Sequence, residues 1–257
     1  MADIFHSPKL RVQNAKGHIA NLQSRINIFL STKPYARVVE PDATGINQLH
    51  KIKFTKPLPD EFATIAADVV DNLRSALDQA WYAVAMISKA IQPGGEAQFP
   101  FADNVTSFEK KILRGFKKFP NDILMLLGFF QPYKGGNDLL WALNRICVAN
   151  KHKMLAPIGY ITGTFQVSVS GGWLQSKGPV SFGPVWDRHK QELIYAKVGP
   201  GGYLEGDYNI NFAFDIAFDE VEVVGGKPAI AVLRQSTTIV DRIIRTLEAE
   251  TRRLGYI

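Results

Sequence analysis

Apolar side chains recur every three or four residues along several long segments of the chain, a spacing typical of amphipathic helices. The longest such segment begins after Asp60, a candidate N-cap, and continues to Gln92, where a Pro-Gly-Gly sequence stops it. Similar spacing predicts further helices at Pro8–Ser31, from a capping box that begins at Thr106 to Phe119, at Asn121–Gly128, from Asn137 or Asp138 to Lys153, and at residues 229–254.

Alternating polar and apolar residues predict antiparallel strands in two parts of the chain. Tyr35–Glu40 and Ile46–Thr55 flank a turn-rich sequence and therefore predict a hairpin. The composition changes near residue 155, and further strands are predicted at residues 164–170, Leu193–Val198, residues 209–219 and Val221–Val224.

This order of elements predicts an α+β fold in which a helical bundle with a long central helix packs beside an antiparallel sheet of about five strands. A helix brackets the strands at each end, so we expect residues 1–257 to form one domain. Within it, an internal boundary near residue 155 would separate the helical residues 1–154 from the strand-rich residues 155–228 and the C-terminal helix. Two separable domains are the alternative.

Composition narrows the class of protein. Of the 257 residues, 46% are apolar, enough for a sizeable core. The single Cys147 supports neither an intramolecular disulfide nor a Cys-rich zinc site, and no phosphate-loop, nucleophile-elbow or zinc-protease motif occurs, so we expect no metal and no cofactor. The first residues lack an apolar leader, and the uncharged stretch Met154–Ser176 contains Pro, Gly and alternating polar residues. We therefore expect a cytoplasmic protein without an integral membrane segment.

The long helix carries a charged edge. Asp71, Arg74 and Asp78 lie at i, i+3 and i+7, with the guanidinium between two carboxylates at the border of the apolar stripe. Such a border holds a partly buried ion pair that determines how the helix docks, or it lines a pocket.

The helix that ends in Asn150-Lys151-His152 has two unusual faces. Asn150 lies on its apolar stripe, so we expect a buried amide bonded to Arg74, to Asp78 or to a strand backbone group, since an unpaired one costs about 1–3 kcal/mol. The opposite face carries a second line of residues, covered either by a packing layer or by a partner such as a second copy of the chain: Trp141, Arg145, Val148 and His152.

Arg145 and His152 form a candidate catalytic pair on that second line. His152 would accept the proton of a ribose 2′-hydroxyl, and Arg145 would stabilise charge on the phosphoryl oxygens, without a metal. They are about 10 Å apart along the helix axis, so a single phosphate requires convergent side chains or a second subunit. Alternatively, the cations at this helix end only stabilise its dipole.

Several motifs resemble recurring pieces of a widespread set of uncharacterised bacterial proteins, over about residues 65–155. In that set a histidine commonly follows the aspartate at position 78, whereas this chain has Gln79. The resemblance implies no particular activity. The matching pieces are Asn72–Asp78 with Tyr82, Phe99-Pro100, Gln131–Tyr133 and the helix that ends in Asn150-Lys151-His152.

The six residues between Arg145 and His152 are similar to the R-x(4-6)-H motif of HEPN proteins, all-helical domains that are often metal-independent ribonucleases working as dimers. The resemblance implies RNA as the substrate and a homodimer through the Trp141, Arg145 and His152 face. Ile146 departs from the polar residue usual after the arginine, and residues 155–224 have no counterpart in a minimal HEPN bundle.

The predicted helix after Thr106 combines an aromatic face with a strongly basic one. Its cations would follow a nucleic-acid backbone or an anionic membrane surface, or form a solvated face over the docked aromatic residues. They are Lys110, Lys111, Arg114, Lys117 and Lys118.

Three hypotheses follow. The first is an RNA-directed protein that binds, or cleaves without metal, through Arg145, His152 and the basic helix. The second is a non-catalytic module that binds a protein or a small ligand through its Trp141 face or strand surface. In the third, Arg74, Asp78, Asn150 and His152 form a structural polar cluster. The sequence leaves open whether the protein is an enzyme.

Overall fold

Runs of helices and runs of antiparallel strands follow one another along the chain. The structure is a computed structural model that describes residues 3–150, 157–168, 174–187, 190, 192–206, 209–218, 224–225 and 227–257. The helices are α1 (His6–Ser31), α2 (Glu61–Ile87), α3 (Val105–Gly115), α4 (Asn121–Phe130), α5 (Asp138–Asn150) and α6 (Ala229–Arg253). The strands are β1 (Tyr35–Pro41), β2 (Gln48–Phe54), β3 (Pro157–Ser168), β4 (Leu174–Lys177), β5 (Val180–Asp187), β6 (Glu192–Val198), β7 (Tyr203–Gly206) and β8 (Asn209–Phe218). The α+β class is confirmed.

The strands form one larger sheet and two ribbons within these residues. The larger sheet has four antiparallel strands in the order β1-β2-β6-β5, while β3 pairs with β8 and β4 pairs with β7. The predicted hairpin is therefore present, and its second strand pairs with β6, with Ile52 opposite Leu193. Because β1 and β2 precede residue 155 and β5 and β6 follow it, the sheet joins the two sides of the predicted boundary.

The helical core is centred on α2, which packs against α1, α5 and α6. Trp81 is fully buried there, stacked on Phe119 with ring centroids 4.7 Å apart and in edge contact with Phe99 and Phe116. The aromatic side of the segment 105–119 thus docks on α2, as the pattern predicts. A second, smaller apolar cluster around Ile52 lies in the four-stranded sheet.

The predicted bounds of α2 and α3 were wrong. The long helix ends at Ile87 rather than Gln92 because Lys89 adopts a left-handed conformation with φ of 57°, which interrupts the helical backbone. The basic helix ends at Gly115 rather than Phe119, and its N-cap is Asn104 instead of Thr106.

The start of α5 agrees with its prediction. Asn137 Oδ1 accepts from the Leu140 backbone N–H at 3.0 Å, so the predicted cap of α5 is formed. The predicted end of this helix at Lys153, and the strand Val221–Val224 except for its last residue, lie outside the described residues. In the helices that are described, no segment combines the length and the apolar character needed to cross a membrane.

Candidate functional site

Arg74 on α2 is the centre of a half-buried polar cluster. Its Nε donates to Asn144 Oδ1 on α5 at 3.1 Å, and its Nη1 donates to Asp78 Oδ1 one turn along α2. The guanidinium carbon also lies 4.6 Å from the centroid of the Phe101 ring. The predicted ion pair at the border of the apolar stripe is therefore present within α2, and the Arg74–Asn144 hydrogen bond joins α2 to α5.

Asp78 links this cluster to the non-helical segment that follows α2. The same Oδ1 that pairs with Arg74 accepts the Phe99 backbone N–H at 2.8 Å. Asp71, the other carboxylate of the predicted charged edge, accepts from the Cys147 thiol at 3.3 Å. One carboxylate therefore holds the segment 96–101 against α2, and the other contacts α5.

Asn144, rather than Asn150, is the amide that bonds Arg74. The prediction placed an amide from this helix beside Arg74 but chose Asn150, the last residue of α5, whose side chain lies outside the described residues. Asn144 was missed although its spacing from Leu140 and Cys147 places it at the flank of the apolar stripe, which is the signal that identifies it.

The cluster lines a concave region of about 300 Å³, which we call the polar cleft. Cys147, Phe99 and Phe101 form part of its wall. Lys111 on α3 closes one side, where its Nζ donates to the Phe101 carbonyl at 3.0 Å. The polar side chains at the cleft, together with one exposed aliphatic residue, are Arg74, Asp78, Gln98, Lys111, Asn144 and Val148.

A second concave region of about 460 Å³, the basic cleft, adjoins the polar cleft. The two clefts share Gln98 as a lining residue. The wall of the basic cleft is formed by the end of α3, the residues just after it and the segment 96–98. The main side chains that line it are Glu96, Gln98, Arg114, Phe116, Lys117 and Lys118.

All five cations predicted for a binding surface are exposed, and the two clefts account for four of them. Lys111 lines the polar cleft, whereas Arg114, Lys117 and Lys118 line the basic cleft. Lys110 lies on α3 but lines neither cleft. When Arg74 is added to these four, the two clefts are lined by five cations and by two carboxylates, those of Asp78 and Glu96.

A third concave region of about 500 Å³ lies where the start of α1 meets the second half of α2, and we call it the apolar cavity. Ser7 Oγ donates to Gln79 Oε1 at 2.8 Å at its edge. It shares Asp78 with the polar cleft and Ala97 with the basic cleft, so all three regions surround the segment 96–99. Its defining residues are Ile4, Pro8, Asp78, Gln79, Tyr82 and Met86.

The second line of α5 is only partly at the surface. Trp141 is buried in the helical core of its own chain, which supports a packing layer rather than a partner as its cover. Arg145 is exposed, with its guanidinium carbon 5.8 Å from the centroid of the Trp141 ring. Val148, one turn further, is exposed at the polar cleft. His152, the other half of the candidate catalytic pair, lies outside the described residues.

The described residues contain no group of three or more His, Cys, Asp or Glu side chains placed to hold a metal ion. Comparisons of the chain with protein-family models, with curated proteins and with solved structures gave no significant match.

Proposed function

We propose that the protein binds single-stranded RNA, with the phosphate backbone of the strand lying along the polar and basic clefts. One observation carries this proposal: two adjoining clefts share Gln98 and are lined by five cations against two carboxylates. Of these cations, Arg74 is paired with Asp78, so the four exposed side chains on and after α3 supply the unneutralised charge.

The spacing of these cations suits a chain of phosphates. Lys111 and Arg114 lie at i and i+3 on α3, on one side of the helix and about 4.5 Å apart along its axis. Lys117 and Lys118 continue the series beyond the helix end. Neutralising consecutive phosphates releases condensed counterions, the main source of sequence-independent affinity for nucleic acids.

The size of the clefts favours a single strand over a duplex. Volumes of about 300 and 460 Å³ accommodate individual nucleotides, whereas a duplex presents its phosphates on a broad convex surface. The amide of Gln98, between the clefts, supplies both a donor and an acceptor for sugar and phosphate groups.

The choice of RNA over DNA is supported by the similarity of Arg145 and His152 to the HEPN motif. Arg145 is exposed one turn before Val148, which lines the polar cleft, so this motif begins beside the proposed binding surface.

The test is a titration of the protein with a fluorescently labelled single-stranded RNA of about 12 nucleotides, followed by anisotropy at several salt concentrations. Four phosphate contacts predict a slope of log K against log salt of about −3. Lys111→Gln should weaken binding and make this slope less negative by about 0.7. Lys110→Gln, the matched control on the same helix, should leave the slope unchanged.

Three outcomes would contradict the proposal. They are no binding at low salt, equal losses for Lys111→Gln and Lys110→Gln, and equally tight binding of single-stranded DNA with the same sequence. The first removes the function, the second removes the clefts as its site, and the third removes the preference for RNA.

Metal-independent cleavage by Arg145 and His152 is tested separately with the same RNA in the presence of a chelator. We expect His152→Ala to abolish cleavage while the circular dichroism spectrum and the affinity for RNA stay unchanged. Cleavage that continues at the same rate in this variant would remove His152 from the chemistry.

A further inference from the structure

The apolar cavity beside the two clefts has a lining that suits a planar, partly polar molecule. Most of its wall is apolar, including Ile4, Pro8 and Met86, but Asp78, Gln79 and Tyr82 add a carboxylate, an amide and an aromatic ring. Its volume of about 500 Å³ lies in the range of small-molecule sites, which are mostly apolar with a few placed polar groups. Tyr82 is 38% exposed and Gln79 is half-buried, so the cavity opens at the surface.

We propose that this cavity is a nucleobase pocket that receives one base of the RNA strand bound in the adjoining clefts. The inference rests on the function proposed above and adds to it a contact with a base, which the basic clefts by themselves do not provide.

The position of the cavity supports this occupant. Its wall includes Asp78, which also lines the polar cleft, and Ala97, which also lines the basic cleft. The cavity therefore adjoins both clefts, and a base of a strand bound in them would enter it beside one of these two shared residues.

The aromatic and apolar lining provides the stacking that unpaired bases require. Single-stranded RNA is commonly recognised by bases that leave the strand and stack on aromatic side chains. The partly exposed ring of Tyr82 supplies such a surface, and the Met86 thioether is polarisable and adapts to a flat ring.

The polar residues of the cavity supply hydrogen-bonding groups for a base. Asp78 and Gln79 are consecutive on α2, and the Ser7 hydroxyl occupies Gln79 Oε1, which leaves the Gln79 NH₂ group as a donor. A carboxylate accepts several hydrogen bonds, so Asp78 offers an acceptor in addition to its bonds with Arg74 and Phe99. Nucleobases carry both donors and acceptors along their edges, so a base has groups that can bond this donor and this acceptor.

The experiment compares two single-stranded RNAs of the same length, one with all its bases and one with abasic riboses at the central positions. Removing a stacked base or its aromatic partner weakens binding by about 5-fold to 100-fold. We therefore expect this loss for the abasic RNA with the unmodified protein, and for the complete RNA with Tyr82→Ala. The abasic RNA should bind Tyr82→Ala as it binds the unmodified protein.

Two further variants separate the pocket from effects on folding. Ala83 lines the cavity, so Ala83→Phe should fill it and weaken binding of the complete RNA without removing a buried side chain. Phe129→Ala is the matched control, because Phe129 is 82% exposed on α4 and does not line the three regions. Thermal unfolding of each variant shows whether the fold is retained.

The outcomes distinguish this inference from the function on which it rests. If neither RNA binds, the proposed function fails and the pocket fails with it. If both RNAs bind equally tightly, with the expected salt dependence and no effect of Tyr82→Ala or Ala83→Phe, the clefts bind RNA but the cavity holds no base. Selective loss for the complete RNA in both variants, with none in Phe129→Ala, supports the pocket.

Discussion

Arg74 uses three parts of its guanidinium group for three different partners. Nε donates to an amide, Nη1 donates to a carboxylate, and the planar face lies over an aromatic ring. A lysine carries the same charge but lacks the planar fork, so it cannot make these contacts together. The identity of this residue therefore matters for the packing of α2 against α5.

Replacing Arg74 by alanine should lower the free energy of unfolding by about 1–3 kcal/mol, because Asp78 and Asn144 lose their donor in a half-buried site. Arg74→Lys should also destabilise the protein, since it restores the charge without the fork. Arg145→Ala is the exposed control and should change stability by less than about 0.5 kcal/mol. Urea unfolding measures all three, and equal values for Arg74→Ala and Arg145→Ala would contradict a stabilising role.

His50 makes the stability of the sheet sensitive to pH. It is buried beside the Tyr195 ring, and its Nε2 has no hydrogen-bond partner among the residues that the structure describes. Burial, with a smaller effect of the Arg37 charge, lowers the pKa of His50 from the usual histidine value of about 6.5. The folded state therefore binds fewer protons than the unfolded state just below that value.

The consequence is a loss of stability in mild acid. The stabilisation due to neutral His50 is complete above pH 6.5 and decreases as the pH falls toward the lowered pKa of the folded state. Denaturant unfolding at a series of pH values should show this decrease, and His50→Gln should reduce it. The same decrease in His50→Gln would assign the effect to other groups.

At the scale of elements, the observed start of α3 differs from the start that the sequence pattern predicts. The Asn104 side chain accepts from the Ser107 backbone N–H at 2.9 Å, so the N-cap lies two residues before the predicted cap at Thr106. Asn and Thr are both good N-caps, and the sequence contains both within three residues.

Asn104→Ala should lower the free energy of unfolding by about 1 kcal/mol, since a helix N–H loses its acceptor. Thr106→Ala, the matched variant at the predicted cap, should have a much smaller effect because Thr106 is an exposed residue inside the first turn. Chemical denaturation of both variants gives the comparison. A larger effect of Thr106→Ala would show that the helix starts at the later position.

At the scale of the whole molecule, two apolar clusters are connected by chain and by contact. The hairpin of β1 and β2 is inserted between α1 and α2, and its Phe54 stacks on Phe29 of α1 with ring centroids 6.3 Å apart. The same hairpin pairs with β6 from the strand-rich part of the chain. The hairpin therefore links the helical core to the sheet, through the Phe54–Phe29 contact on one side and the pairing of β2 with β6 on the other.

We predict one cooperative unfolding transition for the whole chain. Leu73→Ala in the helical core and Ile52→Ala in the sheet each remove a buried side chain, and each should cost about 2–5 kcal/mol. Both should shift the same transition, whether it is followed by far-ultraviolet circular dichroism or by tryptophan fluorescence. Two separate transitions, each moved by only one variant, would contradict a single domain.

The sequence by itself determined the positions of α1 to α6 and of β1, β2, β6 and β8, and part of β3, whereas β4, β5 and β7 were not predicted from it. The long periodic stripe of α2 and the alternation in the hairpin depend on neighbours a few residues apart, so they are readable without the fold. Helix ends were less accurate, both at Ile87, where the left-handed Lys89 follows, and at Gly115. The sequence also identified candidate binding residues. Arg74 and Asp78 lie at the border of the apolar stripe of α2, and the cations on and after α3 lie on its basic face.

Only the tertiary structure decided which of these residues meet. The pairing of Arg74 with Asn144 depends on the packing of α2 against α5, whose residues lie 70 positions apart in the chain. The convergence of three concave regions on residues 96–99 depends on where the Asp78 carboxylate holds the Phe99 backbone. Periodicity gives the face on which a side chain lies but not the element that packs against that face, because long-range packing is set by the shape of the whole core.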